Sequence, residues 1–183
     1  MNDLFKCKDG NSMNLIETER LFLRRLTTND AGFILDLLNQ PSFIYYIGDR
    51  GVRTLEDAKR YIEKGAISSY ERFGFGLYLV LLKEGNIPIG ICGLVKRDVF
   101  IHADVGYAFL PQFWAKGYAA ESAAGVMEYA KTQLGMKRIL GVTMPENKGS
   151  IRVLEKSGLK FEKMVKLKED DIDLMLFSWD LES

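Results

Sequence analysis

The feature that most constrains this chain is a change of hydrophobic period near its middle. Residues 75–82, FGLYLVLL, and residues 87–95, IPIGICGLV, are short apolar runs separated by the turn sequence KEGN. Apolar runs of this length, rich in branched residues and bounded by turn residues, are typical of buried β-strands. Longer segments on either side have helical composition instead. The pattern therefore predicts a sheet with helices packed against it.

Further strands are expected near the start of the chain and in its second half. A segment is interpreted as a strand where apolar residues alternate or run together over a short stretch. These segments are residues 18–26, 101–110, 137–144, 159–168 and 172–181. With the two central runs, the sequence predicts about seven strands.

Four segments have the composition and boundary signals of helices. They are residues 27–41, 54–74, 119–135 and 149–158. In the first helix, Thr28 or Asn29 is the candidate N-cap and Pro41 is expected to end it. An aromatic loop, SFIYYIGDRG, should follow. Thr54 and Asp57 resemble the capping box that opens many helices.

The resulting order is β, α, α, β, β, β, α, β, α, β, β, which lacks the regular alternation of a doubly wound fold. We expect an α+β fold with a mixed, mostly antiparallel central sheet of about seven strands and helices on both faces. No repeat or low-complexity linker is visible. We therefore expect a flexible N-terminal tail over residues 1–14, with Met13 as a second possible start, and one domain over residues 15–183.

Charge and hydropathy argue against several classes of partner. Twenty-five basic and twenty-five acidic side chains cancel, so the chain has no broad basic surface for nucleic acid or an anionic membrane. No stretch approaches the roughly 20 apolar residues of a membrane span. The start of the chain also lacks the apolar core of a signal peptide.

The residues that bind metals or form disulfides are few. Cys7 and Cys92 are the two cysteines, which suits a reducing cytosol better than a disulfide framework. His102 is the one histidine, which argues against a His-built metal site. We therefore expect a cytoplasmic protein without a metal.

Residues 112–121, QFWAKGYAAE, place a lysine and a glycine at the mouth of a predicted helix. Two interpretations compete for this segment. It is either an ordinary tight turn, or a cradle in which unpaired helical N–H groups and small residues admit an anion such as a diphosphate. The absence of G-x-G-x-x-G argues against a dinucleotide site of the Rossmann type.

Three segments give the chain a family resemblance: IETERLFLRRL, VGYAFLPQFWAKGYAAES and PENKGSIRVLEKSGLKFE. From about Leu15 to the end, the chain resembles the GNAT N-acetyltransferase superfamily, in its RimJ/RimL-like branch. The phosphate-loop pattern of the family, Gln/Arg-x-x-Gly-x-Gly/Ala, falls on residues 114–119. Trp114 replaces the usual polar first residue, and Ala115 stands where many relatives have another glycine.

The resemblance implies a binding site for acetyl-CoA where the sheet splays open. The loop residues that would hold its pyrophosphate are Trp114, Ala115, Lys116, Gly117, Tyr118, Ala119 and Ala120. Backbone groups of Tyr107, Ala108 and Phe109 would pair with the pantetheine amides as an added strand does. Asn147 would hydrogen-bond the pantetheine arm and Ser150 would lie near it. Without the resemblance, these two are a loop Asn and an N-cap Ser.

Acetyl transfer to an amine requires a neutral nucleophile, a polarised thioester carbonyl and a proton for the thiolate. A backbone N–H on the strand through Ala108 could polarise the carbonyl. Asp104 is the candidate base, acting through water; the alternative is a solvent-facing Asp at a strand edge. His102 is two residues away, on the same face of the predicted strand. Glu121 in the first helical turn suits a structural role.

The chain also departs from the family pattern. Leu154 occupies the helical position where many members have a tyrosine that protonates the thiolate. Val142 occupies the strand position where relatives closest to RimI have a glutamate. Ser150 is then the first candidate for proton donor, and Tyr107 or Tyr118 are the weaker options. A third possibility is that no dedicated acid is needed.

The amine acceptor should enter opposite the cofactor. Phe43, Tyr45 and Tyr46 either line that entrance or pack in the core and at its rim. The segment KLKEDDID, residues 166–173, either attracts a cation or is a solvated turn.

The sequence thus predicts a cytoplasmic acetyl-CoA-dependent N-acetyltransferase that acts on a primary amine by direct attack on the thioester. A protein N-terminus is the leading acceptor by branch resemblance, and an amino acid, a polyamine or a drug amine remain alternatives. A non-catalytic acyl-CoA-binding or sensing module is the main rival, and a structural protein with a coincidental turn is a third. Exposed edge strands near the C-terminus are compatible with a homodimer.

Overall fold

The fold is built around one eight-stranded sheet. In a computed structural model, residues 14–168 and 171–181 are described. Most of the predicted N-terminal tail, Cys7 included, lies outside these residues. The strands are β1 Asn14–Glu17, β2 Leu21–Arg25, β3 Leu77–Leu82, β4 Ile87–Val95, β5 Asp104–Phe109, β6 Arg138–Thr143, β7 Lys160–Val165 and β8 Leu174–Asp180.

Six α-helices accompany the sheet. They are α1 Ala31–Leu38, α2 Pro41–Ile47, α3 Leu55–Ile62, α4 Ser68–Phe73, α5 Tyr118–Thr132 and α6 Lys148–Lys156. A π-helical turn, Glu63–Ile67, joins α3 to α4. The capping box predicted for α3 is present, since the Asp57 N–H donates to Thr54 Oγ1 at 3.1 Å and the Thr54 N–H to Asp57 Oδ2 at 3.0 Å. Within the described residues, every helix is too short or too polar to span a bilayer.

The sheet has the order β1-β2-β3-β4-β5-β6-β8-β7. Every neighbouring pair is antiparallel except β5 and β6, which run parallel. This confirms the predicted mixed, mostly antiparallel sheet. Strands β1 and β7 are its two edges. A homodimer formed through such an edge stays a prediction.

Helices cover both faces of the sheet, as predicted. Cys92 on β4 faces α5, where Ser122 lies beside its thiol, and burial there raises the pKa of that thiol to about 12. The next residue back, Ile91, points to the opposite face and lines a cavity with Tyr61 and Phe73 of α3 and α4. Because neighbouring strand residues alternate between faces, α5 and the α3–α4 pair lie on opposite sides of the sheet.

The start of the chain differs from the prediction of one strand over residues 18–26. Residues 14–17 form β1, which pairs with β2 as an antiparallel hairpin, and residues 18–20 make the turn between them. The turn is held by Thr18, whose N–H donates to the Leu21 carbonyl and whose Oγ1 accepts from the Leu21 N–H. The additional strand raises the count from about seven to eight.

The prediction of an aromatic loop after α1 is wrong. Residues Pro41–Ile47 form helix α2, and Pro41 begins this helix instead of ending the one before it. Proline suits the first helical position, because its missing N–H would have no partner there and its φ is already helical. Helix α1 ends earlier, at Leu38. A 3-10 turn, Thr28–Asp30, leads into α1, and its N-cap is Thr27 and not Thr28 or Asn29; the Thr27 N–H donates to Asp30 Oδ2 at 2.8 Å. The residue that directly precedes α1 as its N-cap is Asp30.

Strand β5 starts later than residue 101, and it separates from β6 almost at once. Its first residue, Asp104, pairs with Leu140, and the Leu140 N–H donates to the Ala103 carbonyl at 2.9 Å. Beyond this point β5 continues to pair with β4 through Phe109 but no longer with β6. The sheet is therefore splayed between β5 and β6, as the resemblance implied.

Candidate active site

The loop ahead of α5 has the backbone geometry of a cradle. Ala115 and Gly117 both adopt left-handed conformations, with φ of +59° and +84°. Gly117 is the N-cap of α5, no side chain caps the helix, and its first turn is made of Tyr118, Ala119 and Ala120. The first N–H groups of a helix have no partner within it. They are therefore directed, together with the helix dipole, toward the space in front of the loop.

Arg20 and Glu121 hold this loop in place. Glu121 accepts hydrogen bonds from Thr18 Oγ1 at 2.6 Å, from the Arg20 N–H at 2.8 Å and from Arg20 Nε at 2.7 Å. Arg20 also donates to the Lys116 carbonyl at 3.1 Å, and its guanidinium lies 4.5 Å from the ring centroid of Tyr118. The hydrogen bonds lower the pKa of Glu121, although burial opposes them. Glu121 thus has the structural position that its place in the helix suggested.

The unpaired side of β5 forms one wall of the gap. The Leu110 N–H donates to the Ile89 carbonyl of the β4 segment at 3.0 Å. Because hydrogen-bonding direction alternates along an antiparallel strand, the backbone groups of Ala108 face β4, whereas those of Tyr107 and Phe109 face the gap. The Phe109 carbonyl accepts from the Trp114 indole N–H at 2.8 Å. Trp114 therefore joins the loop to the end of β5.

The other wall of the gap begins at α6. Asn147 is the N-cap of this helix, and its Oδ1 accepts from the Ser150 N–H at 3.0 Å. Ser150 is therefore the third residue of the helix. The N-cap position that its residue type alone had suggested is occupied by Asn147. The Tyr107 hydroxyl lies 2.8 Å from Ser150 Oγ and donates to the Ser150 carbonyl at 3.0 Å. This contact brings two predicted site residues together across the gap.

Asp104 lies at the point where the two strands part. Its side chain is 1% exposed, so it is not a solvent-facing Asp at a strand edge. Arg97 Nε donates to its Oδ1 at 2.9 Å, while Oδ2 is buried without a hydrogen-bond partner among the residues described. Burial raises the pKa of Asp104 above its ordinary value, and the nearby charge of Arg97 opposes the rise. A buried carboxyl with one unused oxygen is suited to accept a proton.

A cavity of about 590 Å³ lies on the opposite face of the sheet from α5. Its floor includes Ile91 and Val95 of β4, and its walls come from α3, the π-helical turn and α4. Phe43, Tyr45 and Tyr46 do not line it. Phe43 is in the core, and the Tyr45 and Tyr46 rings pack edge to face with centroids 4.9 Å apart.

Comparisons with known proteins give a consistent result. The sequence profile of the acetyltransferase (GNAT) domain matches residues 20–160. The chain is 31% identical over 147 residues, 80% of its length, to the uncharacterized N-acetyltransferase YnaD of Bacillus subtilis, of which 83% is covered. Its fold matches the crystal structure of a GNAT-family acetyltransferase from Bacillus anthracis with a TM-score of 0.76 and 26% identity, covering 92% of this chain and 99% of that one.

The chain belongs to the GNAT acetyltransferase family. It is an acetyltransferase, and the predicted use of acetyl-CoA as acetyl donor is confirmed at the level of the family. RimL, a ribosomal L7/L12 α-N-protein acetyltransferase solved with coenzyme A, has the same fold with a TM-score of 0.76 at 17% identity, covering 90% of this chain and 96% of that one. This likeness shows the fold, and the RimJ/RimL-like branch stays a prediction. Within the described residues, no cluster of three or more His, Cys, Asp or Glu side chains could hold a metal ion.

The positions where this acetyltransferase departs from its family are apolar. Leu154 is 1% exposed and packs in the core, and Val142 lies on β6 opposite Leu176 of β8. His102 precedes β5 and is exposed, so it does not share the buried environment of Asp104. In the predicted strand the two would have been neighbours on one face.

Sequence reasoning missed Arg20 and Arg97. Arg20 was missed because its partner, Glu121, is 101 residues away in the sequence. Arg97 was missed because it lies in the irregular loop before β5, seven positions ahead of its partner Asp104. The available signal for Arg20 was its place inside the family-like segment IETERLFLRRL. No sequence signal identified Arg97.

The charged turn at residues 166–173 is only partly described, because Glu169 and Asp170 lie outside the described residues. Attraction of a cation and a solvated turn therefore both stay predictions for this segment.

Proposed function

We propose that this acetyltransferase moves the acetyl group of acetyl-CoA to a primary amine by direct attack on the thioester. The observation that carries the proposal is the geometry at Asp104. A buried carboxyl lies where β5 leaves β6, and the strand that begins there ends at the loop braced by Arg20 and Glu121. Donor site and candidate base are thus the two ends of one short strand.

The donor is held mainly by backbone groups. The N–H groups of residues 115–120 would receive the pyrophosphate, supported by the positive end of α5 and by Lys116. The edge of β5 at Tyr107 and Phe109 would pair with the amides of the pantetheine arm. The Asn147 side-chain amide would donate to the same arm while its oxygen caps α6. Ala108 contributes through its place in the strand, since its backbone groups face β4.

Asp104 is the general base of the proposed reaction. Directly or through a water, its carboxylate removes a proton from the ammonium form of the acceptor. The neutral amine nitrogen then forms a bond to the thioester carbonyl carbon, and the carbon–sulfur bond breaks. The nitrogen loses its second proton to solvent water as the amide forms, and the sulfur leaves as a thiolate that then takes up a proton. The products are an N-acetylated amine and free coenzyme A.

Tyr107 and Ser150 are the candidate source of the thiolate proton. Their hydroxyl groups are 2.8 Å apart across the gap where the thioester is expected. Burial raises the pKa of Tyr107, while the Ser150 contact opposes the rise, so the phenol stays protonated at neutral pH. A proton given by one hydroxyl can be replaced through the other. This pair occupies the role that Leu154 cannot fill.

The acceptor is a primary amine, either a protein N-terminus or a small molecule. RimL, which shares the fold, is named as a protein α-N-acetyltransferase, and this supports the first class. The cavity on the other face of the sheet is large enough for a small molecule or for the first residues of a peptide.

The proposal is tested by following coenzyme A thiol release from acetyl-CoA with a panel of amines and N-terminal peptides. We expect release that depends on an amine and an acetylated product in mass spectrometry. Binding of acetyl-CoA in calorimetry without thiol release for any amine would instead favour a non-catalytic module. Absence of binding by folded protein would contradict the proposal altogether.

A further inference from the structure

The rim of the 590 Å³ cavity carries an excess of positive charge. Its cationic side chains are Arg50, Arg60, Lys64, Arg72 and Lys96, and Asp57 is the carboxylate among them. The chain as a whole has equal numbers of acidic and basic side chains. The excess is therefore local to this cavity and does not reflect a generally basic protein.

Most of this charge is not neutralised by the protein. Asp57 pairs with Arg60. Among the described residues, no carboxylate oxygen lies within 4.0 Å of the side-chain nitrogens of Arg50, Lys64, Arg72 or Lys96. Lys96 donates instead to the carbonyls of Arg97 and Phe100. A concave surface lined by unpaired charge of one sign concentrates counter-ions and steers charged ligands into it.

The cavity opens on the face of the sheet that carries Asp104. A Cβ added to Gly106 would lie 3.2 Å from Val95 Cγ2 and 3.7 Å from Leu77 Cδ2, two side chains of the cavity floor. Asp104 is two residues before Gly106 on β5, so its side chain points to the same face. It is also paired in register with Val95. The cationic rim and the candidate base therefore lie on the same face of the sheet, with Asp104 beside Val95 of the cavity floor.

The floor of the cavity is apolar, with Leu26, Val52 and Ile91 beside Val95. A π-helical turn forms part of its wall and brings Lys64 and Ala66 to the cavity. Turns of this kind are rare and occur frequently at functional sites. The cavity thus combines an apolar base, a cationic rim and a neighbouring proton acceptor.

We infer that the amine acceptor is an anionic amine, with a carboxylate or phosphate group attached to an apolar body. The anion binds at the rim near Arg50, Lys64 and Arg72, the body lies on the floor, and the amine reaches the side of Asp104. Polycationic amines such as polyamines are repelled by the same rim. This inference rests on the proposed function, because it assumes that the cavity receives the acceptor.

The first test compares matched acceptors on the wild-type protein with saturating acetyl-CoA. The pairs are L-phenylalanine with L-phenylalaninamide, O-phosphoethanolamine with ethanolamine, and a peptide with Glu after its N-terminal residue with the same peptide carrying Gln. Spermidine is the polycation. We expect the anionic member of at least one pair to have a kcat/KM about 10-fold higher than its neutral partner. The pairs separate a small carboxylate, a phosphate and an acidic peptide as sources of the anion. The preference should shrink as sodium chloride is raised, because salt screens exposed charges.

The second test removes the rim charge. The double variant R50Q/R72Q should raise KM for the preferred anionic probe about 10-fold, change KM for its neutral partner less than about 2-fold, and leave acetyl-CoA binding unchanged. Lys160→Gln is the control, since Lys160 is an exposed lysine on the edge strand β7. Circular dichroism and acetyl-CoA binding show whether the variants are folded.

Several results would overturn the inference while the proposed function stands. They are equal or better turnover of the neutral partners, good turnover of spermidine, an unchanged KM in R50Q/R72Q, or acetyl-CoA binding without acetylation of any anionic probe. If the wild-type protein does not bind acetyl-CoA, the proposed function fails and the inference fails with it.

Discussion

The two sides of this acetyltransferase are built in different ways. The proposed donor side comes mainly from one stretch, residues 104–121, with Asn147 and Ser150 added from α6, and most of its groups are backbone atoms fixed by helix and strand geometry. The proposed acceptor side is the cavity formed by α3, the π-helical turn, α4 and β4, and its chemistry would lie in side-chain charges. A local motif can identify the first from sequence. The second exists only once distant segments have packed together, which is why family membership gives the donor more readily than the acceptor.

Replacing Asp104 by asparagine should have the largest effect, because it removes the base that both sides share. We expect kcat to fall by about 100-fold or more. Acetyl-CoA binding should stay unchanged, since the donor groups are untouched. Thiol release with the best acceptor measures the first quantity and calorimetry the second. Asp98→Asn, in the exposed loop before β5, is the control. Unchanged turnover in D104N would show that the base is another group.

The same variant gives a pH dependence with a definite sign. Since burial raises the pKa of Asp104, the acid limb of kcat/KM should lie above the pH of about 4 typical of a free aspartate. That limb should be absent from the residual activity of D104N. The same raised pKa affects the free energy of unfolding. The carboxyl stabilises the folded protein at pH values below its pKa in the unfolded chain, and this stabilisation is lost as pH rises through its pKa in the folded protein. D104N should therefore unfold at no lower temperature than wild type at neutral pH.

A substitution at Gly117 tests the donor side alone. A Cβ at this position would lie 3.2 Å from an Arg20 nitrogen, and its φ of +84° is unfavourable for alanine by about 1–2 kcal/mol. Gly117→Ala should weaken acetyl-CoA binding about 10-fold with little change in KM for the acceptor. Gly48→Ala, also at positive φ but away from the loop, controls for the general cost of strain. Equal affinities in the two variants would contradict the role of the loop.

Removing Arg20 should have a smaller effect on the same side. Arg20→Ala frees Glu121 and the Lys116 carbonyl, so KM for acetyl-CoA should rise about threefold while kcat stays constant, as expected for a partly exposed ion pair. Arg20→Lys should restore little, because lysine lacks the planar fork. The control is Arg138→Ala, whose arginine pairs with Asp180 and Glu162. A parallel fall in kcat would mean that Arg20 supports more than the loop.

The smallest expected effect is a gain in stability on substitution of Ala115. Ala115 is a non-glycine residue at φ +59°, a conformation that glycine adopts without steric cost. Ala115→Gly should stabilise the folded protein by about 0.5 kcal/mol, because relief of strain exceeds the extra entropy that glycine loses on folding. Thermal unfolding measures this difference. A lower midpoint would mean that the chain tolerates the alanine without strain.

These two regions also show how far the sequence could be read. The turn that opens α5, the capping box of α3 and most of the strands and helices were predictable, because each depends on neighbouring residues. Helix α2 was missed, since its aromatic and β-branched residues have low helix propensity. Phe43 is the residue of this helix that is buried in the core, a tertiary contact that the local sequence does not show. Strand β1 is only four residues long and is defined by its partner β2.

The unpredicted parts of the site are long-range contacts. Asp104 was chosen by its position in the strand, but its burial and its pairing with Arg97 depend on the loop before β5. The hydroxyl pair of Tyr107 and Ser150 spans 43 residues. No motif encodes the cationic cavity, because its side chains come from segments that meet only in the folded sheet.

Hydrogen exchange with and without acetyl-CoA tests the central claim most directly, namely that the donor occupies the gap between β5 and β6 and the mouth of α5. We predict strong protection of backbone amides in residues 105–121 and 147–151 when acetyl-CoA is added, and little change in α3 and α4. Protection centred on α3 and α4, or none at saturating acetyl-CoA, would contradict the account.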